Sequence, residues 1–191
     1  MQGHDNGWRA AIIPHMEMLT LRDSRDTDIA DITAIYAHAV IHGFGSFEID
    51  PPSVEEMAAR RSTILARGDP YLVVTDAADQ VLGYAYVGPF RPRPVYRFAV
   101  EDSIYLASGQ QGRGIGRRLL SSLITRCEAR GYRRMVAVIG DSANAASIAM
   151  HASCGFEKVG IIPCLGWKRG RWVDSVLMQR GIGDGATTPP P

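Results

Sequence analysis

Between Ile104 and Leu120 a β-rich run breaks into Gly109, Gly112, Gly114 and Gly116 and then into an amphipathic helical pattern. That succession commits the chain to a strand, a tight turn and a helix, and it suggests what the turn is for. Main-chain N–H groups at a helix start have no partner inside the helix, and glycine lets several converge on one anion. The helix dipole and the guanidinium of Arg113 add positive potential. Physically this is a phosphate or diphosphate cradle, with a merely tight turn as the alternative. A dinucleotide fingerprint would need G-x-G-x-x-G, whereas the spacing here is G-x-G-x-G. A nucleotide P-loop would need Lys-Ser/Thr after its last glycine, and Gly114 is followed by Ile115.

Composition narrows the setting. At 191 residues and 46% hydrophobic, the chain can bury one sizeable core. Its 21 basic and 20 acidic residues leave a net charge of +1, which argues against a surface built to bind nucleic acid. Cys127, Cys154 and Cys164 form no C-x-x-C pair, and the five histidines never adopt H-E-x-x-H spacing, so neither a disulfide framework nor a metal site is expected. With no long apolar run and no signal-peptide pattern, the expectation is a cytoplasmic protein without a membrane span.

Residues 1–16 read as a loosely held extension, 17–181 as one domain and 182–191, Gly-rich then Pro-rich, as a disordered tail. Within the domain, Asp28 is placed to cap a helix to about Ile41, and Ser53 with Glu56 forms a capping box for a second helix to about Ala66. Strands are expected over 71–75, 81–87 and 96–106, then a helix over 114–130, a strand over 135–139, a short helix over 143–153 and closing strands over 156–162 and 172–179. This is a mixed α/β order around one central sheet.

Several side chains could carry chemistry. In the strand 96–106, Phe98, Val100, Ile104 and Leu106 form an apolar face. Glu101 lies on the other face with Ser103 and Tyr105, just ahead of the glycine turn. A carboxylate there can accept a proton, and partial burial would raise its pKa toward a useful range; a solvent-facing glutamate is the alternative. Arg91 and Arg93 stand in a loop stiffened by Pro89, Pro92 and Pro94. Their guanidinium forks suit an anionic group, although such pairs are often plain surface charge. Asn144, Ser147 and His151 share one face of the short helix. His151 is a candidate second acid/base or a structural histidine. Phe44 and Phe47 read as a pocket wall or as packing, and Cys127 and Cys154 as packing residues.

Gln111-Gly-Arg-Gly-Ile-Gly116 resembles the Q-x-x-G-x-G signature of the GCN5-related N-acetyltransferases (GNAT). Five further blocks, beginning at Gly88, Tyr96, Val136, Asn144 and Gly166, resemble in order the phosphinothricin and methionine sulfoximine N-acetyltransferase branch, from Leu19 to Arg180. The resemblance implies a mixed, mostly antiparallel sheet of about seven strands flanked by about four helices. It implies acetyl-CoA as co-substrate, with no metal, a small-molecule amine as acceptor, a homodimer, and a part in antibiotic or herbicide resistance. By that likeness, the cofactor-binding set is Ile104, Tyr105 and Leu106 of a splayed strand, Gln111, Gly112, Arg113, Gly114, Ile115, Gly116 and Arg117 of the turn, and Asn144 and Ser147. Glu101 would be the general base, His151 a partner in catalysis, and Arg91, Arg93 and Phe47 would bind substrate with Glu101. Acceptors such as a protein N-terminus, or a non-catalytic acetyl-CoA-binding module, remain open.

Overall fold

The computed structural model describes residues 19–190, so the expected N-terminal extension lies outside the described residues. The elements are β1 (Thr20–Asp23), α1 (Ile29–His42), α2 (Val54–Ala66), β2 (Tyr71–Thr75), β3 (Val81–Pro89), β4 (Ala99–Leu106), α3 (Ile115–Ala129), β5 (Arg134–Gly140), α4 (Ala145–Ser153), β6 (Glu157–Lys168) and β7 (Arg171–Gly181). They build one seven-stranded sheet in the order β1-β2-β3-β4-β5-β7-β6, antiparallel except where β4 meets β5.

Strand alternation divides the interior into two cores. Leu72 and Val74 of β2 point to the side of α3, while Tyr71 and Val73 point to the side of α1 and α2. The helical pattern read for 114–130 is the buried stripe of α3, with Ile115, Leu119, Leu120, Leu123, Ile124 and Cys127 inside. Each buried Leu or Ile contributes roughly 1.5–3 kcal/mol, so α3 is anchored far more firmly than the loop that precedes it. A rigid helix behind a glycine turn holds the turn's N–H groups in place.

The feature that makes the site is a failure of pairing. β4 and β5 are in register only at Ala99↔Arg134, Val100↔Met135 and Glu101↔Val136. Beyond Glu101 β4 keeps its partner β3, up to Gly83↔Leu106, while β5 continues along β7 to Gly140. The two strands therefore diverge into a wedge, as expected for the strand carrying Ile104, Tyr105 and Leu106.

Three expectations need correction. Asp28 does not cap α1 with its side chain: its carboxylate takes Arg22 at 2.7 and 2.9 Å and the Arg25 N–H at 2.6 Å. β4 begins at Ala99, because Pro94–Tyr96 closes into a 3-10 turn that proline at its start favours. The packed chain also runs past residue 181: Ile182 is buried in the α3-side core and its N–H donates to Arg133 O at 3.0 Å.

Candidate active site

A cavity of about 700 Å³ follows the wedge from the N-terminus of α3 to Glu101 and on to the loop after α1. At one end the turn is cut for an anion. Gly112 and Gly114 have φ of +77° and +76°, the left-handed region that suits glycine. Gly114 is the N-cap of α3; no side chain caps the first turn and no acidic residue lies in it. Arg113, Arg117 and Arg118 stand there instead. Cations have the wrong sign to stabilise that end of a helix dipole and the right sign for a bound polyanion. Gln111, Gly112, Gly114, Ile115, Gly116 and Arg117 line the cavity; Arg113 does not, and its guanidinium bonds Gln110 Oε1.

The cavity is walled further by Ile104, Tyr105 and Leu106 of β4 and by 137–140 of β5, with Asn144, the N-cap of α4, and Ser147 within that helix alongside. On the β5 side of β4, main-chain groups past Glu101 have no strand partner, so a bound chain can pair with them. Asn144 Oδ1 accepts the Ser147 N–H at 3.2 Å, which caps α4 and fixes its first turn beside the wedge.

Glu101 sits where the wedge opens, half-buried and lining the cavity. Burial pushes its carboxyl above the ordinary carboxylate range. The positive charge of Arg91 opposes that shift, and the negative charge of Asp102 adds to it. Phe47, Gly43 and Gly45 line the same cavity. Phe44 does not; its ring lies under the Arg171 guanidinium, 3.9 Å from its centroid. Arg91 and Arg93 are exposed in the loop joining β3 to β4 and do not line the cavity, although Arg91 is close enough to act on Glu101.

The residue that sequence reasoning missed is Asp102. It is buried, shares the face of Val100, Ile104 and Leu106, and its Oδ2 lies 3.0 Å from His151 Nε2. His151 Nδ1 is 2.8 Å from the Ser147 carbonyl, which can only accept, so Nδ1 carries the proton. Burial favours the neutral ring, but the Asp102 carboxylate and the Ser147 carbonyl outweigh it and raise the His151 pKa above 6.5. Both ring nitrogens are thus engaged by acceptors, Nδ1 by the Ser147 carbonyl and Nε2 by the Asp102 carboxylate, while His151 and Asp102 line the cavity. A charged residue inside an otherwise apolar alternating face was the available signal. Neither buried cysteine offers a nucleophile: burial pushes the Cys127 thiol up to about 12, and Cys154 is 7% exposed.

A diverging parallel strand pair, a glycine turn on a helix N-terminus and a half-buried carboxylate at the wedge together describe a class of transferase that binds a phosphate-bearing carrier. Residues 32–156 match the acetyltransferase (GNAT) family. The chain is similar to a phosphinothricin N-acetyltransferase of Alcaligenes faecalis, with 50% identity over 171 residues, 90% of this chain and 86% of that one. It is 41% identical over 163 residues to an L-methionine sulfoximine/L-methionine sulfone acetyltransferase of Pseudomonas aeruginosa, covering 85% and 94% of the two chains. In structure it resembles a phosphinothricin acetyltransferase from Sinorhizobium meliloti in complex with AcCoA, with a TM-score of 0.88, 48% identity and coverage of 91% and 93%. The chain belongs to the GNAT family and is an N-acetyltransferase.

Proposed function

We propose that this enzyme moves the acetyl group of acetyl-CoA to the α-amine of a small anionic amino-acid analogue of the phosphinothricin or methionine sulfoximine class. The observation that carries this reading is the single cavity joining the cradle of α3 to Glu101. Main-chain N–H groups of residues 112–117 and Arg117 would hold the diphosphate, and the edge of β4 the pantetheine arm. Acetyl-CoA supplies an activated acyl carbon. Glu101 would accept the proton of the acceptor's ammonium, directly or through water; as the freed amine forms the N–C bond the C–S bond of the thioester breaks, and the departing CoA thiolate takes up the second proton that the nitrogen loses. Main-chain N–H groups of β4 without a strand partner on the β5 side would be free to stabilise the charge that develops on the carbonyl oxygen.

The names of the two relatives support the acceptor class, and Arg91 supports it physically, since its charge lies near Glu101 where an acidic acceptor would enter. Thiol release should be read across phosphinothricin, methionine sulfoximine, methionine sulfone, a polyamine and an alanine-terminated peptide. The first three should be preferred, and Arg91→Ala should raise their KM by roughly tenfold while leaving acetyl-CoA affinity unchanged. Preference for the peptide or the polyamine would overturn the acceptor assignment.

We assign Asp102 and His151 as an ion pair that fastens α4 to β4, in place of a second acid/base. We also propose a homodimer through the β6–β7 hairpin. β6 is an edge of the sheet, and Val159, Ile161, Ile162, Leu165, Trp167 and Trp172 of the hairpin are exposed, an apolar edge of the kind soluble proteins cover. A second copy can pair with it about a two-fold axis. Sedimentation should give twice the chain mass for the wild type and the single mass for Ile161→Glu; a wild-type monomer would remove the proposal.

A further inference from the structure

The loop after α1 walls the acceptor end of the cavity through Gly43, Gly45 and Phe47, yet it contains no helix or strand. It is held in part by its neighbours, Ser46 Oγ donating to Tyr36 Oη at 3.1 Å and Arg60 bonding Glu48 at 2.6 Å, and in part from the far end of the chain. Lys168, the last residue of β6, is 9% exposed, and its ammonium donates to the Ser46 carbonyl at 2.8 Å, across 122 positions of sequence. The neighbouring Arg169 donates to His42 O. Arg171, across the same turn, covers the Phe44 ring and holds Asp141. On the sheet side, β5 ends against the loop so closely that a Cβ on Gly140 would lie 2.0 Å from Phe44 O. Trp167 and Trp172 meet edge to face across the hairpin, with centroids 5.3 Å apart, which stiffens the base of the turn.

Burying an ammonium is unfavourable unless an acceptor compensates it, and burial indeed lowers the pKa of Lys168. Methionine would fill the same space without that penalty. What the lysine adds is one directed hydrogen bond to a main-chain oxygen of the acceptor wall. Lys168 does not itself line the cavity.

We propose that Lys168 is a positioning residue for the acceptor: through the Ser46 carbonyl it sets the loop 43–47 against which the acceptor amino acid is held. It touches neither substrate. The assignment rests on the function proposed above and on the substrate-binding role that the family resemblance gives Phe47, which lines the cavity.

Lys168→Met keeps the length of the side chain and removes the donor. Acceptor KM should rise by roughly tenfold, as for loss of a hydrogen bond to a charged group, while the dissociation constant of acetyl-CoA stays within about twofold. Arg171→Ala, which removes the cover from the Phe44 ring, should shift acceptor KM in the same direction by a smaller factor. Hydrogen exchange reads the loop without any acceptor. The Glu48 amide, which donates to Ser46 Oγ at 3.2 Å, should exchange about tenfold faster in Lys168→Met, with β4 and α3 unchanged. Unchanged Glu48 exchange, or an acetyl-CoA constant that rises in step with acceptor KM, would overturn the proposal. Should the wild type acetylate none of the amino-acid analogues, the acceptor assignment fails, and the exchange result still decides whether Lys168 holds the loop.

Discussion

Replacing Glu101 with glutamine is expected to lower kcat by about 10²- to 10⁴-fold, the range for loss of a positioned general base. Acetyl-CoA should bind with a dissociation constant within roughly twofold of wild type, because Glu101 is no part of the α3 cradle. The pH profile carries an independent signature. The base works only when ionised, and burial raises the carboxyl above its usual 4.5. Wild-type kcat/KM should therefore climb with pH through a value above 4.5, and the glutamine variant should lose that acid limb. Turnover within tenfold of wild type, or an acid limb that survives the substitution, would remove Glu101 as the base.

The second large effect concerns stability. His151→Ala leaves the Asp102 carboxylate buried without its partner; its Oδ1 already accepts no hydrogen bond among the described residues. Breaking a buried pair in this way costs about 3–5 kcal/mol, or on the order of 10 °C in Tm for a chain of this length. Asp102→Asn should cost less, since the histidine can then give up its proton. The pH dependence has a definite sign. A folded-state pKa above 6.5 means the native chain holds the His151 proton more tightly than the unfolded chain. That stabilisation is complete below about 6.5 and is lost as pH rises through the raised value. Thermal melts from roughly pH 6 to pH 9 should show the wild type losing stability with a slope that His151→Ala lacks. Equal slopes would mean the pair is not ionised as described.

Features with local causes show in the sequence, and features made by distant residues do not. The glycine turn and the buried stripe of α3 were legible because each depends on residues within a few positions of one another. Gly114 announces its backbone conformation by being glycine, whereas Asn144, read as part of a helix over 143–153, proves to be the cap of a helix that begins at Ala145. Glu101 was legible through strand alternation. The same alternation hid Asp102, which falls on the apolar face and is explained only by a histidine 49 positions away. Lys168 is the extreme case: in sequence it is one base in Lys-Arg-Gly-Arg, an ordinary exposed turn, and only the sheet order brings it under Ser46. Asp28 misled for a related reason. It stands where a cap should, but Arg22 on the adjacent strand competes for its carboxylate with a bidentate bond.

A crystal structure with CoA and methionine sulfoximine bound together would test the central claim most directly. The account predicts the diphosphate on the main-chain N–H groups of residues 112–117, the pantetheine arm in the wedge between β4 and β5, and the acceptor nitrogen about 3 Å from a Glu101 carboxylate oxygen or one water away. A carrier bound outside the wedge, or an acceptor amine remote from Glu101, would contradict it.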